Sequence, residues 1–124
     1  MIKLDHLNIS ISNYPNSRDW YVRHVGLKVE FENVAAGVGG LSGDGDVELI
    51  LTQGKLPSGE RDCALTFQCD SVHGKYDELS ALGLSFVHPP MSVVWGYGAE
   101  LRDPDGYAVR FWDKTTMPGY KENK

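Results

Sequence analysis

Residues 6–12, HLNISIS, alternate apolar Leu7, Ile9 and Ile11 with polar His6, Asn8, Ser10 and Ser12. That period of two is the pattern of a strand with one buried face. Turn and capping chemistry follows from Asn13 to Ser17, where Pro15 cannot continue a ladder and Asn16 or Ser17 can cap a helix. Residues 17–25 place Trp20, Tyr21 and Val25 on one side of a predicted helix, and Gly26 supplies its left-handed stop. Three short strands are predicted next, at about 28–34, 38–42 and 46–52, with Gly43-Asp44-Gly45-Asp46 as a hairpin turn.

The same series then begins again. ALTFQCDS at 64–71 repeats the strand-then-cap form of HLNISISN at 6–13, and a second helix at about 72–82 ends at Gly83 as the first ends at Gly26. Gly26-Leu27-Lys28-Val29 matches Gly83-Leu84-Ser85-Phe86, and strands at about 84–88, 97–102 and 107–113 follow. Asp103-Pro104-Asp105-Gly106 reads as the turn between the last two, not as a catalytic pair. Val47-Glu48-Leu49 is set against Val109-Arg110-Phe111, so the offset between halves is 58 at the first strand and 62 at the last. A β-α-β-β-β unit written twice dictates an α+β architecture of two tandem βαβββ modules. The first module is expected over 1–54, a polar linker over 55–62, the second module over 63–114 and a polar tail, a mobile end or dimer arm, over 115–124.

Composition narrows the function. The 124 residues are 41% hydrophobic and 23% charged, ordinary for a globular protein, and 14 glycines fit many short turns. Twelve Lys and Arg against 17 Asp and Glu leave a net charge of −5, the wrong balance for a nucleic-acid binder. No apolar run approaches the roughly 20 residues that span a bilayer, so no membrane partner is expected. The N-terminal MIKLDHLNIS lacks the basic-then-apolar order of a signal peptide. Cys63 and Cys69 would stand roughly 20 Å apart along one strand, beyond disulfide reach, and read as reduced thiols of a cytoplasmic protein. Gly37-Val38-Gly39-Gly40 leads into a strand and not a helix, so it fails as a phosphate loop.

The early His6, the Trp20-Tyr21 helix running into Val25-Gly26-Leu27, and the closing Arg102-Asp103-Pro104-Asp105-Gly106-Tyr107 together resemble the vicinal oxygen chelate superfamily of glyoxalases, bleomycin-resistance proteins and extradiol dioxygenases. The resemblance implies curled mixed sheets around a cup, a homodimer, and, in metal-using members, one ligand on the first and one on the last strand of each module. Carried over, these positions are His6 and Glu48 in the first module and Ala64 and Arg110 in the second. Alanine offers no donor. An arginine, always protonated, would repel a zinc, nickel, manganese or iron ion by several kcal/mol in a poorly solvated cup. No cofactor is therefore favoured, although such a divalent metal on His6 and Glu48 stays open.

Two readings stand for each site residue. His6 is either a strand residue satisfied by polar neighbours or an acid–base group of the cup. Glu48 is either exposed or faces inward, where it needs a partner; an ion pair with Arg110 would supply one. Arg110 alternates with Val109 and Phe111, so it should face the cup and grip an anion. Trp95, Tyr97 and Trp112 are pocket walls or core, with Trp95-Gly96-Tyr97 expected in a loop over the mouth. His24, His73 and His88 are expected at the surface. The expected function is a small-molecule binder whose cup, lined by His6, Asn8, Glu48, Trp95, Tyr97, Arg110 and Trp112, takes a compact aromatic or anionic ligand. The alternative is a metal-dependent lyase, isomerase or dioxygenase using His6 and Glu48.

Overall fold

The structure, a computed structural model, describes residues 1–116; of the tail expected at 115–124, residues 117–124 lie outside them. The chain divides into two units, Met1–Gly59 and a second that begins at Glu60. Unit 1 runs β1 (His6–Ile11), α1 (Tyr14–Trp20), β2 (Lys28–Asn33), β3 (Val38–Ser42) and β4 (Glu48–Gln53). Unit 2 runs β5 (Ala64–Gln68), α2 (Val72–Ala81), β6 (Phe86–Val93), β7 (Gly96–Arg102) and β8 (Ala108–Trp112). The sheets are ordered β1-β4-β3-β2 and β5-β8-β7-β6, so each is a βαβββ module whose first and last strands pair in parallel.

Parallel pairing of β1 with β4 requires a crossover, and the helix that makes it covers one face of the sheet. Alternation sends Ile9, Ile11, Leu41, Leu49 and Leu51 to that face, where all are buried with Tyr14 and Ser17 of α1. In unit 2 the same face holds Leu65, Leu101, Val109 and Phe111 with Val72 and Leu79 of α2. Among the described residues, the opposite face of each sheet carries no helix of its own unit.

The first helix starts earlier than the sequence pattern suggests. Asn13, not Asn16 or Ser17, is its cap, with Oδ1 accepting from the Asn16 N–H at 2.9 Å. Pro15 lies in the first turn, where its missing N–H breaks no helical bond. A turn of π-helix, Tyr21–Val25, carries the chain to Gly26 at φ 93°, and Gly83 ends the second helical segment at φ 90°. Tyr14, fully buried, donates its hydroxyl to Glu32 at 2.8 Å; burial first, then this carboxylate, pushes its phenol up to about 12.

The ladders correct the match between the last strands of the modules. His6 pairs with Glu48, whereas Ala64 pairs with Ala108, so the counterpart of Glu48 is Ala108 and that of Arg110 is Ile50. Helix capping gives the same answer. Gln53 accepts from the Tyr14 N–H at 2.8 Å and Asp113 from the Val72 N–H at 2.7 Å. The offset at the last strand is thus 60 (Gln53 to Asp113), not 62. A slip of two residues keeps every side chain on its own face, so period-two reasoning cannot detect it.

Asp113 is 2% exposed and collects four hydrogen bonds: from the Val72 N–H, the Thr115 hydroxyl, and both the N–H and hydroxyl of Thr116. Burial pushes its carboxyl up, but the donors led by Thr116 outweigh that and hold it at about 2, below its usual 3.8. The folded chain therefore holds this proton less tightly than the unfolded chain. The stabilisation is complete above pH ~4 and is lost as pH falls toward 2. Asp113→Ala is expected to cost about 1–2 kcal/mol in urea unfolding at pH 7. The gap to the parent should narrow between pH 4 and 2; a gap independent of pH there would refute an ionised cap.

Candidate functional site

On the helix-free face of unit 1, β1 presents His6, Asn8 and Ser10, and β4 presents Glu48, Ile50 and Thr52. His6 and Glu48 are ladder neighbours, as are Asn8 and Ile50. His6 Nδ1 lies 3.0 Å from an Asp5 carboxylate oxygen, and both groups are exposed. Thr52 donates to Asn8 Oδ1 at 3.1 Å. The Glu48 carboxylate and the Phe31 ring occupy the space that a side chain at Gly40 would need, so Glu48 lies along the face of the sheet.

The helix-free face of unit 2 is built differently. Glu100 of β7, 9% exposed at its side chain, accepts from Arg110 Nε on β8 at 2.8 Å and meets Arg102 Nη2 at 3.2 Å. Glu100 and Arg110 are ladder partners, as are Arg102 and Ala108. The Arg110 guanidinium carbon sits 5.0 Å from the centre of the Trp95 ring. This geometry corrects the expected bond between Glu48 and Arg110: the carboxylate that Arg110 engages is Glu100, beside it in its own sheet. A carboxylate so little exposed needs the two guanidinium groups, because one left unpaired there would cost several kcal/mol.

Trp95 is not in a long loop. β6 runs on through Pro89 and Pro90 to Val93, and Val94-Trp95 is the two-residue turn of a tight β6–β7 hairpin. The two prolines fit because β6 is the edge strand, where a missing N–H costs little. The indole folds back onto Gly98, where a Cβ would come 2.5 Å from Trp95 and clash with the Phe111 carbonyl oxygen. Trp112 shares the face of Arg110 and pairs with Gln68. Tyr97 goes to the other face. Its hydroxyl lies 2.9 Å from His73 Nε2 on α2, so it braces the helix and does not wall the site. His73, expected merely at the surface, is exposed yet makes that bond.

Sequence reasoning missed Glu100 and Arg102. Their signal is legible in hindsight: Ala99-Glu100-Leu101-Arg102 alternates apolar and charged residues, which puts both charges on the face of Arg110. The Asp103 turn behaves as expected, with Asp103 Oδ1 accepting from the N–H groups of Asp105 and Tyr107 at 2.9 Å each.

The donor chemistry is short for a metal. His6 and Glu48 are one imidazole and one carboxylate on neighbouring strands, and their counterparts Ala64 and Ala108 carry no donor. Among the described residues no group of three or more His, Cys, Asp or Glu is placed to hold an ion, and catalytic zinc sites keep three protein ligands. His6 and Glu48 are two donors where a catalytic site keeps three, and no chemistry is routed through a metal.

The family model described as Glyoxalase/Bleomycin resistance protein/Dioxygenase superfamily matches residues 3–111. No curated protein matches the chain. Solved structures do. An antibiotic-binding protein, TnmS3 from Streptomyces sp. CB03234, is 22% identical, with 91% of this chain and 96% of that one covered and a TM-score of 0.76. A possible glyoxalase from Bacillus cereus is 18% identical over 90% and 98% of the two chains (TM-score 0.75). Lactoylglutathione lyase from Agrobacterium tumefaciens is 15% identical over 90% and 92% (TM-score 0.73). At these identities the likeness is one of fold.

Gly98→Ala tests the seat of Trp95. An added Cβ meets both the indole, which can lift, and the backbone carbonyl of Phe111, which is relieved only if β7 shifts against β8. The expected results are a red shift of the Trp95 emission, isolated by subtracting spectra in a Trp95→Phe background, and a loss of about 1–3 kcal/mol of stability. Unchanged emission would mean that the ring does not rest on Gly98.

Proposed function

The chain belongs to the glyoxalase/bleomycin resistance protein/dioxygenase superfamily, and we propose that it is a small-molecule-binding member that holds a compact aromatic or anionic ligand without a metal. The observation that carries this reading is the face of unit 2, where Arg110, paired with Glu100, lies 5.0 Å from the centre of the Trp95 ring and shares its face with Trp112. Aromatic rings and a guanidinium bind and orient; none of them is a nucleophile or a proton acceptor at neutral pH. Similarity in fold to an antibiotic-binding protein agrees with a sequestering role. His6, Asn8 and Glu48 add polar groups on the face of unit 1 to this reading. The protein acts as a homodimer in the cytoplasm; exposed Phe31, Val29, Val87 and Met91 are the apolar side chains that a second chain would cover.

A second reading is favoured by one observation, the ladder pairing of His6 with Glu48. There the pair would hold a divalent ion and the protein would be a lyase, isomerase or dioxygenase of the same superfamily. Metal analysis of freshly purified protein, with and without added nickel, zinc, manganese or iron, separates the two. The binder is expected to carry no stoichiometric metal and to return its ligand chemically unchanged. One tightly held ion per chain, lost in both His6→Ala and Glu48→Gln, would refute the metal-free reading. A second measurement is size-exclusion chromatography with light scattering, where a mass near 13.7 kDa would refute the dimer.

A further inference from the structure

Resting on the binder reading, we infer that the face of unit 2 is a carboxylate site, and that the ligand is a planar aromatic carboxylate. Three observations support this. The cluster of Arg102, Glu100 and Arg110 holds two guanidinium charges against one carboxylate, so it keeps one net positive charge in a protein whose net charge is −5. No other carboxylate stands on that face of the β5–β8 ladder, where the neighbours are Ala64, Thr66, Gln68, Ala108 and Trp112. The surplus charge is therefore unanswered there by the sheet itself.

The second observation is how Arg110 is held. Its Nε is spent on Glu100 and its guanidinium carbon lies over the Trp95 ring, while its two terminal amino groups have no hydrogen-bond partner among the described residues. The side chain is 28% exposed. An arginine fixed through Nε offers its end-on fork, two parallel N–H groups at the spacing of a carboxylate's two oxygens. Being fixed already, it loses little further freedom on binding. The third observation is the flanking residues: the Trp95 ring, seated on Gly98, lies beside the Arg110 guanidinium, and Trp112 stands on the same face of β8 two residues along. A ring would lie against these side chains while its carboxylate accepts from Arg110.

The test uses the full chain, labelled with nitrogen-15, titrated with 2-naphthoate and with its neutral isostere 2-naphthamide. The readouts are the Trp95 indole N–H and the Arg110 Nε–H signals, assigned through Trp95→Phe and Arg110→Gln. Naphthoate is expected to bind about tenfold or more tightly than the amide, the worth of a charge-assisted pair. Arg110→Gln should bring naphthoate down to the affinity of the amide, and Arg110→Lys, which keeps the charge but not the fork, should recover only part of the difference. Should the Gln variant fail to fold, the parent's preference for naphthoate must still weaken as salt is raised. Equal binding of acid and amide to the parent would overturn the carboxylate assignment and leave the binder reading standing. If neither probe moves the Trp95 signal, both fall.

Discussion

Each module depends on the parallel pairing of its first strand with its last. Parallel neighbours cannot be joined by a tight turn, so the chain must cross over, and the crossover helix buries one face of the sheet and not the other. The same pairing brings the end of the last strand up to the start of that helix, where Gln53, the last residue of β4, and Asp113, just past β8, each accept its first N–H. A group so placed satisfies a donor that no helical carbonyl can reach. Closure of the ladder, capping of the helix and definition of a free face are one event.

What the two free faces carry has diverged. In unit 1 the middle strand has Gly40, and the emptied space is taken by Glu48 and Phe31 from its neighbours. In unit 2 the counterpart of Gly40 is Glu100, which fills its own space and must be neutralised, and Arg102 and Arg110 supply that. A carboxylate on a central strand thus calls for a cation beside it, since a carboxylate shielded from water has no cheap alternative. The result is an acidic, imidazole-bearing face on one module and a cationic, aromatic face on the other.

The sequence alone carried a good deal of this. Period-two alternation, glycine stops and the repeated strand-cap-helix order set the α+β class, the number of modules and the face on which His6, Asn8, Glu48, Arg110 and Trp112 lie. These are local properties, dictated by the sterics of each residue and the cost of burying polar groups. Register along the ladder is a different matter. Glu48 looked like the partner in kind of Arg110 because both sit between apolar neighbours, and a shift of two residues satisfies every local preference equally well.

Only the tertiary structure could settle which of those equal registers is made, because the choice rests on contacts between strands and on helix caps far away in sequence. It likewise decided that Arg110 answers Glu100, that Trp95 folds back over Gly98, and that Tyr97 turns to brace α2. A side chain's face follows from its own backbone and could be read from the pattern. Its partner follows from where other strands arrive, and the pattern of hydrophobic and polar positions holds no record of that.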